Sequence, residues 1–214
     1  VCGSIDMYPG PIMMWLPTDQ MARSFRKKKL TPSINLQESL RQKVKPPKSR
    51  DSGNTILVKD FPGGSLALTG AGSGASYRAE SIKYFIVDDF DEFDVDIAGQ
   101  GSPDKLIDRR SGSFSNRKGY YNSTTTEKET SNIEKIFEKS SQGFFHVPCP
   151  HCGFYQYLEF GGTEVEHGIK FTRDETGQIV DCWYQCKCCN QRIDEYEKPW
   201  MFENWKFVHK YPKR

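Results

Sequence analysis

The stretch Tyr84-Phe85-Ile86-Val87-Asp88-Asp89 decides the fold that we expect for this chain of 214 residues. Four apolar residues in a row predict a strand that is buried on both faces, as strands of a parallel sheet are. The two acidic residues then lie at the carboxyl end of that strand. In open α/β sheets ligands bind at this edge, so the stretch predicts a sheet and a candidate site together.

Strand and helix patterns alternate around this stretch up to about residue 140. Strands are expected at residues 12–16, 55–59, 65–69 and 118–122, and helices at 19–29, 102–110 and 131–140. Thr18 is expected to cap the first helix, and Pro32 is expected to prevent that helix from continuing much further. The two strands at 55–69 are expected to form a hairpin. The pattern predicts an α/β fold, a mostly parallel sheet with flanking helices.

Composition narrows the class of protein more than it names a partner. Thirty basic residues against 28 acidic ones leave a net charge of +2, which indicates no partner by itself. No apolar run approaches the roughly 20 residues that a membrane span needs, and no signal peptide is visible. The charge is uneven, because residues 23–50 hold ten basic residues and one acid, whereas residues 80–96 hold seven acids and one base. This separation indicates one surface for anionic ligands and another for cations.

The cysteines give the sharpest signal in the sequence. Cys149 and Cys152 form one Cys-x-x-Cys pair, Cys186 and Cys189 form another, and 33 residues separate the pairs. Two such turns complete a tetrahedral zinc site, and four thiolates leave no open position for catalysis. We therefore expect a structural Zn²⁺ held by these four residues, with two hairpins inserted between the pairs. The alternatives are structural thiols or a redox pair.

Neighbouring residues leave the ligand set open. Cys188 could replace Cys186 or Cys189, and Cys182 and His151 lie close by in the sequence. From residue 144 onward the pattern changes to short strands, turns and cysteines. We expect an α/β domain at residues 1–143 and a small β-rich zinc ribbon at residues 144–214.

The acidic pair at the strand end is typical of nucleotide hydrolases. The first carboxylate, Asp88, would hold the Mg²⁺ of a nucleotide, and the second, Asp89, would orient or deprotonate the attacking water. Acidic residues also commonly begin the loop after a strand, which is the plainer interpretation.

No Gly-x-x-x-x-Gly-Lys-Ser/Thr loop is present in the sequence. Arg78 could point at a phosphate or form a surface salt bridge, and the basic stretch 23–50 could contact a DNA backbone or be a solvated helix face.

Taken in order, several motifs resemble the large terminase subunit of tailed phages, of the lambda type. They are Asp6-Met7-Tyr8-Pro9-Gly10-Pro11, Leu16-Pro17-Thr18-Asp19-Gln20-Met21-Ala22, Ser49-Arg50-Asp51-Ser52-Gly53-Asn54-Thr55, Phe61-Pro62-Gly63-Gly64-Ser65-Leu66, Gly70-Ala71-Gly72-Ser73, Val87-Asp88-Asp89-Phe90-Asp91-Glu92-Phe93, Arg109-Arg110, Ser123-Thr124-Thr125, Ser131-Asn132-Ile133-Glu134 and His146-Val147-Pro148-Cys149-Pro150-His151-Cys152-Gly153. The ordered set is more specific than any one of its members.

The resemblance implies a P-loop NTPase-like ATPase that uses ATP with Mg²⁺, with Asp88 as the metal-binding carboxylate and Asp89 as the catalytic one. It implies that Ser123, Thr124 and Thr125 couple hydrolysis to movement on DNA, and that Arg78 stabilises charge. The implied partners are double-stranded phage DNA, the small terminase subunit, the portal or prohead and further copies of the same chain, in the cytoplasm of a bacterial host and without a membrane.

This sequence departs from the family pattern in two places. The family usually has Asp-Glu at the strand end, whereas Asp88-Asp89 is one methylene shorter, so slow turnover is expected. The coupling motif reads Ser-Thr-Thr where Ser-Thr-Pro is common.

The resemblance also implies that this chain is part of a longer protein. In the family the phosphate-binding loop precedes the segment that matches residues 1–6, and an endonuclease domain follows the cysteine ribbon. We therefore expect residues 1–143 to be a partial ATPase domain and expect this chain alone to bind ATP poorly without hydrolysing it. The competing interpretations are a zinc-ribbon nucleic-acid-binding protein without ATPase activity and a degenerate prophage remnant.

Overall fold

The structure is a computed structural model that describes residues 1–44, 57–72, 74–78, 81–126, 129–162 and 164–213. It divides into two compact units, Val1–Ile136 and Phe137–Arg214. The elements that begin in the first unit are α1 (Cys2–Met7), β1 (Ile12–Leu16), α2 (Asp19–Phe25), α3 (Thr31–Leu36), α4 (Glu38–Lys43), β2 (Val58–Phe61), β3 (Gly64–Gly70), β4 (Tyr84–Val87), α5 (Pro103–Ser111), β5 (Lys118–Tyr121) and α6 (Asn132–Lys139).

A five-stranded sheet with the order β2-β3-β1-β4-β5 forms the centre of the first unit. β1 pairs in parallel with β3 and with β4, and β4 pairs in parallel with β5. Among the described strands of this sheet, only β2 runs antiparallel, as the first strand of the hairpin with β3. The expected α/β fold with a mostly parallel sheet is confirmed.

β1 is the central strand of the sheet, and all five of its residues are therefore buried. Its side chains alternate between two hydrophobic clusters, as the twofold period of a strand requires. Ile12 and Met14 pack in the cluster that receives side chains from α1 to α4. Met13 and Trp15 pack in the opposite cluster, with α5 and the segment that follows β4. Helices therefore cover both faces of the sheet.

The helical segment that starts at Asp19 does not stop before Pro32, so the expectation of a nearby end was wrong. A π-helical turn at Arg26–Leu30 follows α2, and α3 begins directly after it with Pro32 in its first turn. Thr31 donates its backbone N–H to the carbonyl of Arg26 within this turn. Proline needs no hydrogen-bond donor in the first turn of a helix, so a wider turn just before it lets the chain remain helical.

The predicted hairpin forms, but its first strand is shifted. β2 covers Val58–Phe61 instead of residues 55–59, and residues 55 and 56 lie outside the described part of the chain. The proline-rich loop at residues 46–54, with the matching motif at 49–55, and Ser73 also lie outside it. No helix in the described part of the chain combines the length and the hydrophobicity that a membrane span needs.

The second unit is built from two small sheets. Its elements are β6 (Gly143–Pro148), β7 (Tyr155–Tyr157), β8 (Gly168–Arg173), β9 (Ile179–Gln185), β10 (Arg192–Ile193), α7 (Lys198–Glu203) and β11 (Lys206–His209). The sheets have the orders β11-β6-β7 and β10-β9-β8. Among the described residues, one hairpin, β8–β9, lies between the two cysteine pairs instead of the expected two, because β7 pairs back onto β6.

Two glycines of the first unit should respond in opposite ways to replacement by alanine. At Gly64 a Cβ would lie 2.2 Å from the carbonyl oxygen of Gly10, and backbone cannot easily move away. At Gly3, within α1, a Cβ meets no atom within 4 Å. We expect Gly64→Ala to destabilise the unit by about 1–3 kcal/mol through overpacking.

Gly3→Ala should instead stabilise the protein by up to about 1 kcal/mol, since alanine is the better helix former. Urea unfolding followed by circular dichroism measures both changes. Equal unfolding midpoints for the two variants would contradict the close approach of Gly64 to Gly10.

Candidate functional site

The carboxyl ends of four parallel strands meet at one edge of the sheet. Backbone hydrogen bonds continue the pairing one residue beyond the strands, because Asp88 N donates to Trp15 O at 3.0 Å and Asn122 N donates to Val87 O at 2.9 Å. The residues that directly follow β4 and β5 are therefore held side by side. This is the edge at which open α/β sheets bind ligands.

The carboxylate of Asp88 is fixed at this edge by the neighbouring strand. Asn122 Nδ2 donates to Asp88 Oδ1 at 3.0 Å. Asp88 is half-buried, whereas Asn122 is exposed. One oxygen of Asp88 is thus oriented by an amide, and the carboxylate remains accessible to a ligand at the open side of the edge.

Asp89 has an unusual backbone. Its φ of 52° and ψ of 53° place it in the left-handed region, which aspartate enters more readily than most residues but still at a cost. The next residue, Phe90, is 2% exposed, and its ring packs edge-on against Phe93 and Tyr121 at 5.5 and 5.1 Å. Burial of this ring holds the turn after β4 in place and so maintains the strained conformation of Asp89.

The predicted coupling motif lies beside this turn. Asp91 N donates to Ser123 Oγ at 3.0 Å, and Ser123 Oγ donates to the carbonyl of Thr124. Thr124 and Thr125 are exposed. The structure therefore brings Ser123 into contact with the acidic turn, and it leaves the two threonines open to solvent.

The described contacts of Arg78 do not include the acidic pair Asp88-Asp89. It is exposed and follows a short 3₁₀ turn at Gly74–Tyr77. Its Nε donates to Gln100 Oε1 at 3.0 Å. Its described partner is thus an amide, and no described contact joins Arg78 to Asp88 or Asp89.

Two residues at this edge were not singled out from the sequence. Asn122 is one, and Asp19 is the other, because Asp19 Oδ1 accepts the backbone N–H of Gly70 at 2.7 Å and ties the end of β3 to the start of α2. Thr18 caps α2 as predicted, since its Oγ1 accepts from Met21 N at 3.2 Å. A usable signal was present, because each residue is polar and lies at the end of a predicted strand or within a few positions after it.

The second candidate site is the cluster of Cys149, Cys152, Cys186 and Cys189. Their sulfur atoms all lie within 4.8 Å of one another. The Sγ atoms of Cys149 and Cys189 are 3.8 Å apart, and those of Cys152 and Cys186 are 3.9 Å apart. These distances exceed a disulfide bond of about 2.05 Å. They match the edge of about 3.8 Å of a sulfur tetrahedron with metal–sulfur bonds of about 2.3 Å.

The two cysteine turns share one backbone design. In the first, Cys149 N donates to Phe154 O and Gly153 N donates to Cys149 O. In the second, Cys186 N donates to Gln191 O and Asn190 N donates to Cys186 O, which are the same spacings. Gly153 and Asn190 occupy the same position in the two turns, with positive φ values of 70° and 58°. Both turns therefore present their two sulfurs in the same way.

The environment of the four thiols is electrostatically uneven. Burial raises the pKa of Cys149 to about 12. A backbone N–H of Phe154 lowers the pKa of Cys152 to about 7. Four neighbouring thiolates repel one another, so full ionisation of the cluster requires a cation among the sulfurs. The donor set of four sulfurs suits a soft or borderline divalent metal.

The nearby residues that the sequence left open have other contacts. Cys182 lies on β9 opposite Phe171, and Cys188 is exposed and donates its backbone N–H to Cys186 Sγ at 3.4 Å. His151 Nε2 donates to the carbonyl of Arg192 at 2.8 Å. None of the three belongs to the group of sulfurs that could hold a metal among the described residues.

A buried glutamine supports the second cysteine turn. Gln156 on β7 is 2% exposed, and its Oε1 accepts the backbone N–H of Lys187 at 3.0 Å. This contact joins β7 to the turn between Cys186 and Cys189. No motif in the sequence indicated this role, because it depends on where β7 packs.

The left-handed backbone of Asp89 gives a test of the strained turn. Asp89→Val should destabilise the first unit by about 1–2 kcal/mol, because a β-branched side chain is poorly tolerated at positive φ. Asp89→Gly should leave stability unchanged or raise it. Thermal unfolding measures the difference, and Glu92→Val, at an exposed position of the same turn with ordinary φ, is the matched control. If both valine variants unfold at the same temperature, the strain is absent.

Sequence comparison with known proteins identifies the family of this chain. The family described as phage terminase large subunit gpA, ATPase domain, matches residues 1–205. The chain is 33% identical over 177 residues to the terminase large subunit of Escherichia phage lambda, a match that covers 82% of this chain and 27% of that protein. It is 28% identical over 196 residues to the terminase large subunit of Enterobacteria phage P21, covering 90% of this chain and 30% of that protein. The chain thus spans less than a third of the length of these relatives, and it belongs to the family of phage terminase large subunits, within their ATPase domain.

Proposed function

We propose that this chain is part of a DNA-packaging motor that hydrolyses ATP to move double-stranded DNA into a prohead. The observation that carries the proposal is the pairing of Asp88, at the end of β4, with Asn122, at the end of β5. This pairing supports the proposal because it orients a carboxylate at the edge where open α/β sheets bind ligands, in a chain of the terminase ATPase family.

The residues at this edge fit the metal that a nucleotide requires. Mg²⁺ prefers hard oxygen ligands and keeps several waters, so one or two carboxylates suffice beside the phosphates. Asp88 would hold the ion, directly or through water, and Asp89 would orient the attacking water. When bound, Mg²⁺ would neutralise charge on the phosphate oxygens. Arg78 would have to exchange Gln100 for a phosphate to stabilise charge in that reaction.

The shorter side chain of Asp89 should limit the rate. Its carboxylate ends one methylene nearer the backbone than a glutamate would, and the turn that carries it is held by the burial of Phe90. Asp89 therefore cannot easily move toward the water independently of the rest of the turn to make up the difference. A gap between base and water reduces the benefit of precise positioning.

Substitutions in the complete large subunit test these two roles. Asp88→Ala should abolish ATP hydrolysis, because the metal loses its carboxylate. Asp89→Glu should raise kcat by about tenfold or more without a large change in KM, because the carboxylate then reaches the water. Steady-state ATPase assays measure both, and Asp94→Asn, at an exposed acid after the turn, is the control. A lower kcat for Asp89→Glu would contradict the proposed role of Asp89.

We further propose that Cys149, Cys152, Cys186 and Cys189 bind one structural Zn²⁺. The close approach of the four sulfurs, all within 4.8 Å of one another, and the matched backbone of the two turns support this assignment. The second unit has a small core, since its buried hydrophobic cluster in the described residues consists of Val147, Cys149, Cys186, Ile193 and Met201. A small domain of this kind commonly needs a metal in order to fold.

Metal analysis tests the zinc assignment. We expect one zinc ion per chain, and removal by a chelator should unfold the second unit. Tryptophan fluorescence reports this change, because Trp183, Trp200 and Trp205 lie in that unit and only Trp15 lies in the first. Cys152→Ser should lower the zinc content, whereas Cys182→Ser and Cys188→Ser should leave it at one. Loss of zinc from Cys188→Ser would overturn the ligand set.

A second candidate function is nucleic-acid binding that does not depend on ATP hydrolysis. Its support is the run of Lys27, Lys28 and Lys29, which are all exposed on the π-helical turn. Lysines in such a run can neutralise DNA phosphates, and binding should then weaken steeply with added salt. Salt-dependent binding that survives Asp88→Ala, together with no ATPase activity in the complete protein, would favour this function over the motor.

The wider assembly is part of the same proposal. The complete protein would act as an oligomer with the small terminase subunit and the portal of the prohead, in the bacterial host. It would also cut the DNA, and we assign no residue of this chain to that reaction. Residues 1–143 would supply the part of the ATPase described above, and residues 144–214 the zinc-binding part.

A further inference from the structure

The carboxylate of Asp91 joins three segments that are separate in the sequence. Asp91 lies two residues after Asp89, in the 3₁₀ turn Phe90–Glu92. Its Oδ2 accepts from Thr126 N at 3.1 Å and from Thr126 Oγ1 at 3.2 Å. Its Oδ1 accepts from Ile133 N, in the first turn of α6, at 2.8 Å. One side chain thus connects the acidic turn, the segment after β5 and the start of α6.

The same connection is reinforced by the backbone and by electrostatics. Asp91 N donates to Ser123 Oγ, so main chain and side chain of Asp91 hold the same neighbouring segment. Burial alone would raise the pKa of Asp91, but hydrogen bonds from the Ser131 side chain, Ile133 and Thr126 hold it below its usual value. The carboxylate is therefore ionised at neutral pH. Its negative charge also favours the positive end of α6.

The position of α6 gives this contact its significance. α6 spans Asn132–Lys139, and the chain passes from the first unit to the second between Ile136 and Phe137, inside this helix. A displacement of the turn that carries Asp88 and Asp89 would move Asp91, since buried Phe90 makes the turn rigid. Through Ile133 the displacement would reach the first turn of α6.

We propose that Asp91 is a positioning residue that transmits the state of the Asp88-Asp89 turn to the segment after β5 and to α6. This inference rests on the proposed ATPase function. Asp91 would not touch the nucleotide. Its role would be to couple ATP hydrolysis to movement of the chain beyond α6. Loss of Asp91 should therefore allow ATP hydrolysis that is not accompanied by movement of DNA.

Asp91→Asn is the most informative variant. The amide keeps the size of the side chain and can still accept from Ile133 N through its oxygen, but its NH₂ group cannot accept from Thr126. Thr126→Val removes only the Oγ1 donor and is the milder variant if Asp91→Asn folds poorly. Asp94→Asn, at an exposed acid three residues further on, is the matched control.

The experiment uses the complete large subunit assembled with proheads and DNA, and it measures the ATP hydrolysis rate together with the length of DNA packaged per ATP. We expect Asp91→Asn to retain ATP hydrolysis within about threefold while the DNA packaged per ATP falls by about fivefold or more. An effect of about fivefold is the lower end of what the loss of a typical coupling free energy between two sites produces. Thr126→Val should change the ratio in the same direction by less, and Asp94→Asn should not change it.

Hydrogen exchange gives a readout that does not depend on packaging. Addition of Mg²⁺ and a non-hydrolysable ATP analogue should slow exchange at the first turn of α6 in the unsubstituted protein and not in Asp91→Asn. If Asp91→Asn leaves the length of DNA packaged per ATP hydrolysed unchanged, the inference is overturned. This includes the case in which both activities fall in proportion and α6 still responds to the nucleotide. Retention of ATPase activity by Asp88→Ala would instead overturn the proposed function, so the two failures can be distinguished.

Discussion

Parallel pairing of β4 with β1 on one side and β5 on the other is the constraint on which the rest of the first unit depends. Because these strands run in the same direction, the residues that follow them meet at one edge. The pairing is stabilised from both faces of β1, where Trp15 is completely buried and stacks on Tyr77 at 5.6 Å. Without this arrangement Asp88 and Asn122, 34 residues apart in the sequence, would have no reason to be in contact.

The parallel pairing of these strands gives three aspartates that lie within four positions of the sequence three different environments. Asp88 is oriented by an amide from the next strand, Asp89 has a left-handed backbone, and Asp91 accepts hydrogen bonds from two other segments. The side chains are chemically identical, so their roles differ only through the direction in which the turn points each one. Phe90 controls that direction, because burial of its ring fixes the turn between them.

The second unit is stabilised in a different way. Its buried apolar cluster is small, and two members of that cluster, Cys149 and Cys186, also belong to the group of four neighbouring sulfurs. Packing and metal binding would therefore stabilise the same residues. The bidentate pairing of Arg192 with Asp181, together with its bond to Asp194, adds polar contacts around the β9–β10 pair. Exposed ion pairs of this kind contribute little to the free energy of unfolding. The sulfur cluster is therefore the main candidate for what stabilises this unit.

The sequence by itself determined the features that depend on neighbouring residues. The apolar run ending in Asp88-Asp89 predicted β4 and its edge, proline-bounded Ile12–Leu16 predicted β1, and Cys-x-x-Cys spacing predicted the two cysteine turns, since each pattern is local. Tertiary structure decided how Pro32 fits into a continuing helix, which cysteines come together, that Asn122 contacts Asp88, and that Asp91 contacts the start of α6. These contacts join segments far apart in the chain, and no local pattern records the order in which strands pair.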